Sequence, residues 1–279
     1  MKTCCRILLL MCFTLWGHAQ MTIRGVVTDK QSTLPVAYAT VGIKDKPIGT
    51  VCDEKGVFEL NIPAGTSNDS LKFSAIGYKS SGFAISHLSP AKPITIELKP
   101  EAVQLTTVNV KPGKSMQKIL GVQKFNKTNC SAYGGEETNW KGQESAIMAH
   151  HSKGQTVYME DFNFYIIKNT LNDSLTFRLN FYKARENGMP GDNLMNRSIV
   201  FKTAVKEGPV KVNLKDYFIH TDEDFFISLE CLEDKINMKS FCFSGEVSEP
   251  SYVRVTKFMK WSRIRGGGLA FNVTVSYVK

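Results

Sequence analysis

Ile48-Gly49-Thr50-Val51-Cys52-Asp53-Glu54-Lys55-Gly56-Val57-Phe58-Glu59-Leu60-Asn61-Ile62 joins two short apolar runs through a polar turn. In the second run Phe58, Leu60 and Ile62 share one face, the period-two pattern of a half-buried strand. The turn has hairpin chemistry: the Asp53 carboxylate can accept hydrogen bonds from the turn amides, and Gly56 permits the positive φ that closes it. The same pattern extends outward on both sides. Ala39, Val41 and Ile43 share a face, and Ile94-Thr95-Ile96-Glu97-Leu98 alternates in the same way. Turn residues fall at Asp29-Lys30-Gln31-Ser32, Pro63-Ala64-Gly65 and Ile76-Gly77-Tyr78. Residues 22 to about 110 show no useful helical period, and about seven strands at this spacing predict a small antiparallel β-sandwich.

Four ordered segments carry a resemblance. Ile23-Arg24-Gly25-Val26-Val27-Thr28-Asp29, Leu34-Pro35-Val36-Ala37-Tyr38-Ala39-Thr40-Val41, the Ile48 to Leu60 stretch, and Leu71-Lys72-Phe73-Ser74-Ala75-Ile76-Gly77-Tyr78 resemble the carboxypeptidase regulatory-like domain. Cys52 stands where Thr or Ser is common in that family. The resemblance implies a transthyretin-like (prealbumin-type) sandwich of the kind abundant in Bacteroidetes cell-envelope proteins. It implies no peptidase activity, because the zinc ligands of such peptidases lie in a separate catalytic domain. Leu105-Thr106-Thr107-Val108-Asn109-Val110 is similar to the segment leading into the plug and barrel of TonB-dependent transporters. Only 167 residues follow Pro112, far too few for a barrel of about 22 strands with its plug.

The remainder is also strand-rich. Leu175, Phe177, Leu179 and Phe181 form one apolar face, as do Phe162, Phe164 and Ile166, then Val210, Val212 and Leu214, then Phe225, Ile227 and Leu229, and last Leu269, Phe271, Val273, Val275 and Tyr277. Gly188-Met189-Pro190-Gly191-Asp192, Glu207-Gly208-Pro209 and Asp222-Glu223-Asp224 separate them as turns. The predicted fold class is therefore all-β: an N-terminal transthyretin-like sandwich followed by a larger jelly-roll-like one.

At the amino terminus, Lys2 and Arg6, an apolar run from Ile7 to Trp16, and the small-residue exit Gly17-His18-Ala19 read as a secretory signal peptide over residues 1–20. A lipoprotein reading through Leu9-Leu10-Met11-Cys12 fits less well, since Met is bulky where a small residue is wanted. No later stretch approaches the roughly 18 apolar residues of a membrane span. The expected organisation is thus a signal peptide, a first domain over 21–111, a linker over 112–117 and a second domain over 118–279. The mature product is expected in the periplasm or at the outer-membrane surface.

Four cysteines remain beyond the signal: Cys52, Cys130, Cys231 and Cys242. Cys231 lies on the apolar side of its strand, whereas Cys242 points away from Phe241 and Phe243, so these two are not predicted to pair. Four free thiols are the simpler expectation.

Catalytic chemistry needs a nucleophile with a base, or a metal with an open position. His150 and His151 are the only histidine cluster, and neighbours on a strand face opposite ways. One Asp and one Glu in the Asp53 turn are too few ligands for calcium. Ser115-Met116-Gln117-Lys118 has a Ser-x-x-Lys spacing, but neither partner motif of the penicillin-binding enzymes accompanies it. No cofactor and no metal are expected, and a hydrolase with an unrecognised site is the second alternative to a binding module.

The formal charge of +9 is uneven along the chain. Residues 21–112 carry 10 basic and 8 acidic side chains, residues 113–249 carry 17 and 18, and the last 30 carry Arg254, Lys257, Lys260, Arg263, Arg265 and Lys279 with no acid. Lys260-Trp261-Ser262-Arg263-Ile264-Arg265-Gly266-Gly267-Gly268 reads as a mobile basic loop, with Lys260, Trp261, Arg263 and Arg265 as candidate contacts for an anionic or glycan ligand. The plain alternative is a solvated hairpin that maintains solubility. Trp140, Tyr158, Tyr165, Tyr182 and Trp261 are the aromatics that a glycan-binding surface would use. Nucleic acid is not an expected partner, because no recognition module is present. The leading expectation is a non-enzymatic envelope protein that binds or assembles with an envelope protein, a glycan or an anionic envelope surface; the first alternative is glycan binding by the second sandwich.

Overall fold

A computed structural model describes residues 20–101, 114–133, 140–234 and 236–279. The signal-peptide reading of residues 1–19, the Leu105–Val110 segment and residues 112–113 of the expected linker lie outside the described residues.

The protein is all-β, built from two sandwiches with separate apolar cores. In the first, Val57–Ile62, Met21–Asp29, Ile94–Pro100 and Tyr78–Lys79 form one four-stranded sheet in that order, and Gly49–Val51, Thr40–Ile43, Ser70–Ser74 and Ser81–Ala84 form the other. Alternation works as expected: Phe58, Leu60 and Ile62 are buried against Val27, Val41, Phe73 and Leu98. In the turn, Asp53 Oδ1 accepts from the amides of Lys55 and Val57, both at 2.8 Å. Gly56 has φ 72°, and a Cβ there would stand 2.6 Å from the Val27 carbonyl oxygen, so both conformation and space require glycine. The expected antiparallel pairing fails in one place, because Met21–Asp29 and Ile94–Pro100 run parallel. The long connection between them supplies the crossover that a parallel pair requires.

In the second sandwich, Val157–Asn169 is the centre of an eight-stranded sheet, flanked by Phe271–Val278 and Gly208–Asn213 and continued by Phe241–Glu246. Facing it, Leu175–Ala184, Phe225–Cys231, Glu144–Ala149, Ser251–Arg254 and Ser262–Ile264 lie side by side in a seven-stranded sheet. The chain crosses from sheet to sheet repeatedly. Residues 115–117, expected as linker, belong instead to strand Ser115–Gly121, whose backbone pairs with Phe271–Val278. Apolar residues alternate poorly there, since Lys118 shares the less exposed side with Met116 and Leu120, so the sequence pattern does not mark the strand.

The core between the sheets is aromatic. Phe162, Phe164, Phe241, Phe243 and Phe271 from one sheet meet Phe177, Phe181 and Phe225 from the other, all fully buried. Phe241 and Phe243 stand edge to face at 4.7 Å, and Phe243 and Phe271 at 5.8 Å. Such pairs add roughly 0.5–1.5 kcal/mol each beyond their burial.

Cys242 does point away from this core, but it is not free. It forms a disulfide with Cys130, the two Cα atoms 5.6 Å apart. Cys130–Ser131 is a two-residue strand beside Phe241–Glu246, which places the two thiols on the same outer face. Four free thiols were therefore the wrong expectation, although Cys231 and Cys242 do face opposite ways. Cys231 and Cys52 remain free and buried; withdrawal from water pushes the Cys52 thiol up to about 12 and raises Cys231 as well.

Candidate functional site

Strand Leu175–Ala184 directs Phe177, Leu179 and Phe181 into the aromatic core, so alternation sends Thr176, Arg178, Asn180 and Tyr182 to the opposite face. A polar outer face ordinarily meets water. Here it is covered: Arg178 is 5% exposed, Asn180 3%, and Glu144 and Glu230 on neighbouring strands 2% and 3%. The cover is the first sandwich, together with the loop that follows Arg254.

Two charged centres lie at this junction. Arg178 Nε and Nη2 bond both oxygens of Glu230 at 2.7 Å, a bidentate pair. The same guanidinium donates from Nη1 to the Tyr38 carbonyl at 2.7 Å and from Nη2 to Thr40 Oγ1 at 3.2 Å, so it ties the two sandwiches together. Tyr38 has φ 57°, a left-handed conformation uncommon for a bulky residue, and its carbonyl is held there by Arg178. Nearby, Glu54 accepts from Tyr38 Oη at 2.8 Å and from Lys202 Nζ at 2.6 Å, a more exposed bridge between the same two units.

The second centre is Glu144. Its Oε1 accepts from Tyr182 Oη at 2.6 Å, Ser228 Oγ at 2.8 Å and Asn180 Nδ2 at 3.0 Å, and its Oε2 accepts from Arg254 Nε at 2.7 Å and from Arg254 Nη2. Burial pushes the Glu144 carboxyl up, but the Arg254 guanidinium and the hydroxyl donors outweigh it and hold the group below its ordinary value. Every charged group in both centres is thus committed to a partner.

Beside Arg254 the loop turns back onto the first sandwich. Lys257 Nζ donates to Ser74 Oγ at 3.0 Å, and the Asp45 amide donates to the Phe258 carbonyl at 3.1 Å. Gly49 permits this approach, because a Cβ there would lie 2.8 Å from Thr256 Cγ2. Burial and the neighbouring Arg178 and Arg254 push Lys257 down to about 8, against the opposing pull of Glu230 and Glu144.

The sequence-based candidates separate. Trp261 is not a free stacking platform: the Arg254 guanidinium lies 4.3 Å from its ring centroid and the Tyr182 ring meets it edge-on at 5.6 Å. It covers an outer apolar patch of Ala146, Tyr182, Phe226 and Tyr252. Lys260 is exposed beside it, and both line a groove of about 660 Å³. Arg263 and Arg265 do not line that groove. They lie on or just beyond the exposed strand Ser262–Ile264, which pairs with Ser251–Arg254, and Arg263 stands over the Tyr252 ring at 5.9 Å. The basic segment is therefore strand-paired for part of its length rather than a free loop. The other aromatic candidates also disperse: Trp140 is fully buried in the second core, Tyr165 is buried beside Phe125, and Tyr158 packs on His220.

The groove draws on residues that the sequence pattern did not single out. Lys44 and Asp45 come from a hairpin of the first sandwich, Arg185 and Asn187 from the hairpin after Leu175–Ala184, and Arg254 and Lys257 from the loop before Trp261. No local motif links them, because three distant turns supply them. His150 bonds Asp224 at 3.1 Å while His151 contacts Lys118 and Gln155, so the two rings diverge. Among the described residues no group of three or more His, Cys, Asp or Glu side chains could hold a metal ion. Among them, too, no helix is long and apolar enough to cross a membrane.

Residues 23–110 match the CarboxypepD_reg-like domain family, so the chain carries a carboxypeptidase regulatory-like domain. No curated protein matches the chain in sequence. Among solved structures, it is similar to the cysteine protease and lectin-like domains of Cwp84, a surface layer associated protein of Clostridium difficile, with 9% identity and a TM-score of 0.37. That match covers 93% of this chain but only 63% of the length of the other. Clostridial cysteine protease Cwp84 after propeptide cleavage matches with 9% identity and a TM-score of 0.39, covering 94% and 72%. Structural likeness this distant identifies neither fold nor function.

Proposed function

We propose that this protein is an exported, non-enzymatic module of the cell envelope whose two sandwiches act as one rigid unit to bind or assemble with an envelope component. The observation that carries this reading is the contrast in charge use at the junction. Glu144, Glu230, Arg178 and Arg254, the charged groups at the two centres, are consumed by one another, and Lys257, also withdrawn from water, gives its Nζ to Ser74. Lys44, Arg185 and Lys260, at the rim of the adjoining groove, have no ion pair among the described residues. Satisfied charges hold a shape, whereas unpaired ones on a concave surface attract an anionic partner. The carboxypeptidase regulatory-like domain fits this role as a β-sandwich module, here serving to brace the second sandwich.

Fractionation of the producing cell with intact-mass measurement tests this reading. The expected product lies in the periplasmic or outer-membrane fraction and lacks about 20 amino-terminal residues. An uncleaved chain confined to the cytoplasm would overturn it.

A further inference from the structure

The groove has fixed walls. Asp45 is tied to Phe258 through its amide, Arg185 accepts at its carbonyl from the Gly188 amide and donates to the Met189 carbonyl, and Met259 donates to the Thr256 carbonyl. The Asp45 bond joins the first sandwich to the loop after Arg254, and the other bonds close their own turns, so each wall is locally ordered. Their side chains divide by chemistry. Met189, Pro190, Phe258, Met259 and Trp261 supply apolar surface, while Lys44, Arg185, Arg254, Lys257 and Lys260 supply positive charge against the single acid Asp45. Glu144 neutralises Arg254, which leaves four cations facing one carboxylate. Converging cations on a low-dielectric wall focus a positive potential, and the planar fork of Arg185 suits a carboxylate or phosphate.

We propose that this groove is the binding site of an acidic saccharide, a short oligosaccharide whose carboxylate or phosphate substituents meet Arg185, Lys260 and Lys44. This rests on the reading of the protein as a binding module and names the chemical class of its ligand. A volume of about 660 Å³ suits a ligand of a few rings, within the usual range of roughly 300–1,000 Å³ for such sites. The apolar faces of sugar rings match Met259, Phe258 and the accessible part of Trp261. Asn187 and Asp45 offer partners for hydroxyl groups.

Isothermal titration of the mature two-sandwich chain tests the assignment with four probes: trigalacturonate, its methyl-esterified neutral form, a hexose phosphate and inorganic phosphate. Trigalacturonate or the hexose phosphate is expected to bind at least about tenfold more tightly than the neutral trimer and than inorganic phosphate. Which of the two acidic probes is preferred identifies the substituent. Arg185→Gln and Lys260→Gln should each weaken binding several-fold and reduce its salt dependence, with unchanged thermal unfolding. Equal binding of neutral and acidic trimers, binding of inorganic phosphate as tight as the hexose phosphate, or no binding of either acidic sugar would overturn the proposal. So would an equal loss from Arg263→Gln with Arg265→Gln, which would move the site to the edge strand. If no sugar binds while the protein is still processed and found in the envelope, this assignment fails alone and the module reading stands.

Discussion

The two faces of strand Leu175–Ala184 are both buried, yet they are built from opposite chemistries. The inner face offers Phe177, Leu179 and Phe181 to an aromatic core, whereas the outer face offers Arg178, Asn180 and Tyr182 to a closed network of charges and hydroxyls. Apolar burial is non-directional and tolerates imperfect geometry. A buried ion pair is the reverse: its desolvation is offset only when every donor and acceptor is met. The inner face therefore holds the second sandwich together, and the outer face specifies how the first sandwich sits on it.

Breaking one partner should separate the two faces most strongly. Arg178→Met leaves Glu230 charged, buried and alone, and strips donors from the Tyr38 carbonyl and Thr40. A loss of about 3–5 kcal/mol in denaturant unfolding is expected. Phe177→Ala should lose a similar amount, about 3–5 kcal/mol, through cavity formation. Rescue distinguishes them. Adding Glu230→Leu to Arg178→Met removes both charges and should restore most of the stability, whereas no single partner change repairs the hole at Phe177. If the pair fixes orientation, the rescued variant will show a broader interdomain distribution in small-angle scattering. A loss under about 1 kcal/mol for Arg178→Met alone would mean that water reaches the pair and that the outer face is not buried in solution.

The next test confines damage to the second sandwich. Cys130→Ser with Cys242→Ser opens a link between residues 112 apart, and a stability loss of about 2–4 kcal/mol is expected. The buried Cys52 and Cys231 are not expected to substitute as partners, since each sits in a different core. Unfolding of the unmodified protein should become reductant-sensitive and that of the variant should not. Equal midpoints for the two proteins in the absence of reductant would show that the bridge does not form.

Sequence patterning made the inner face legible and left the outer one dark, for a physical reason. Period-two alternation reports which residues avoid water, so Phe162, Phe164, Phe177, Phe181, Ile227, Phe271 and their neighbours were all placed correctly as core. The Asp53 turn and Gly56 were equally readable, because their chemistry is local. Arg178, Glu144 and Glu230 look like solvent-facing residues in the same pattern, and their cover, the first sandwich and Arg254 with the loop after it, is remote in sequence. The groove suffers from the same blindness: Lys44, Arg185 and Lys260 belong to three turns that the sequence keeps far apart. The charge count weighted Arg263 and Arg265, which lie outside the groove, equally with Lys260, which lines it.

The smallest expected effect concerns Lys257, a basic residue at the junction that makes no ion pair among the described residues. It faces Arg178 and Arg254 with Glu230 and Glu144 behind them, and its Nζ donates to Ser74 Oγ at 3.0 Å across the two sandwiches. In an unfolded chain this ammonium titrates near 10.5, but in the folded protein near 8. Below about pH 8 both states are protonated and the burial penalty is fully present. Between these values the unfolded chain holds a proton that the folded one has released, so this group makes the protein more stable as pH rises from about 8 towards 10.5. Lys257→Met removes the buried charge while sacrificing one hydrogen bond of about 1 kcal/mol. At pH 7 the variant should therefore match or slightly exceed the parent protein. On moving to pH 10 the parent should gain relative to the variant, because only the parent has a penalty left to relieve. Urea midpoints for both proteins at the two pH values measure this difference of differences, in which the other titrating groups cancel. Parallel pH profiles would mean that the Lys257 ammonium stays hydrated, and hence that the outer face is sealed around Glu144 and Glu230 but open to water at the loop.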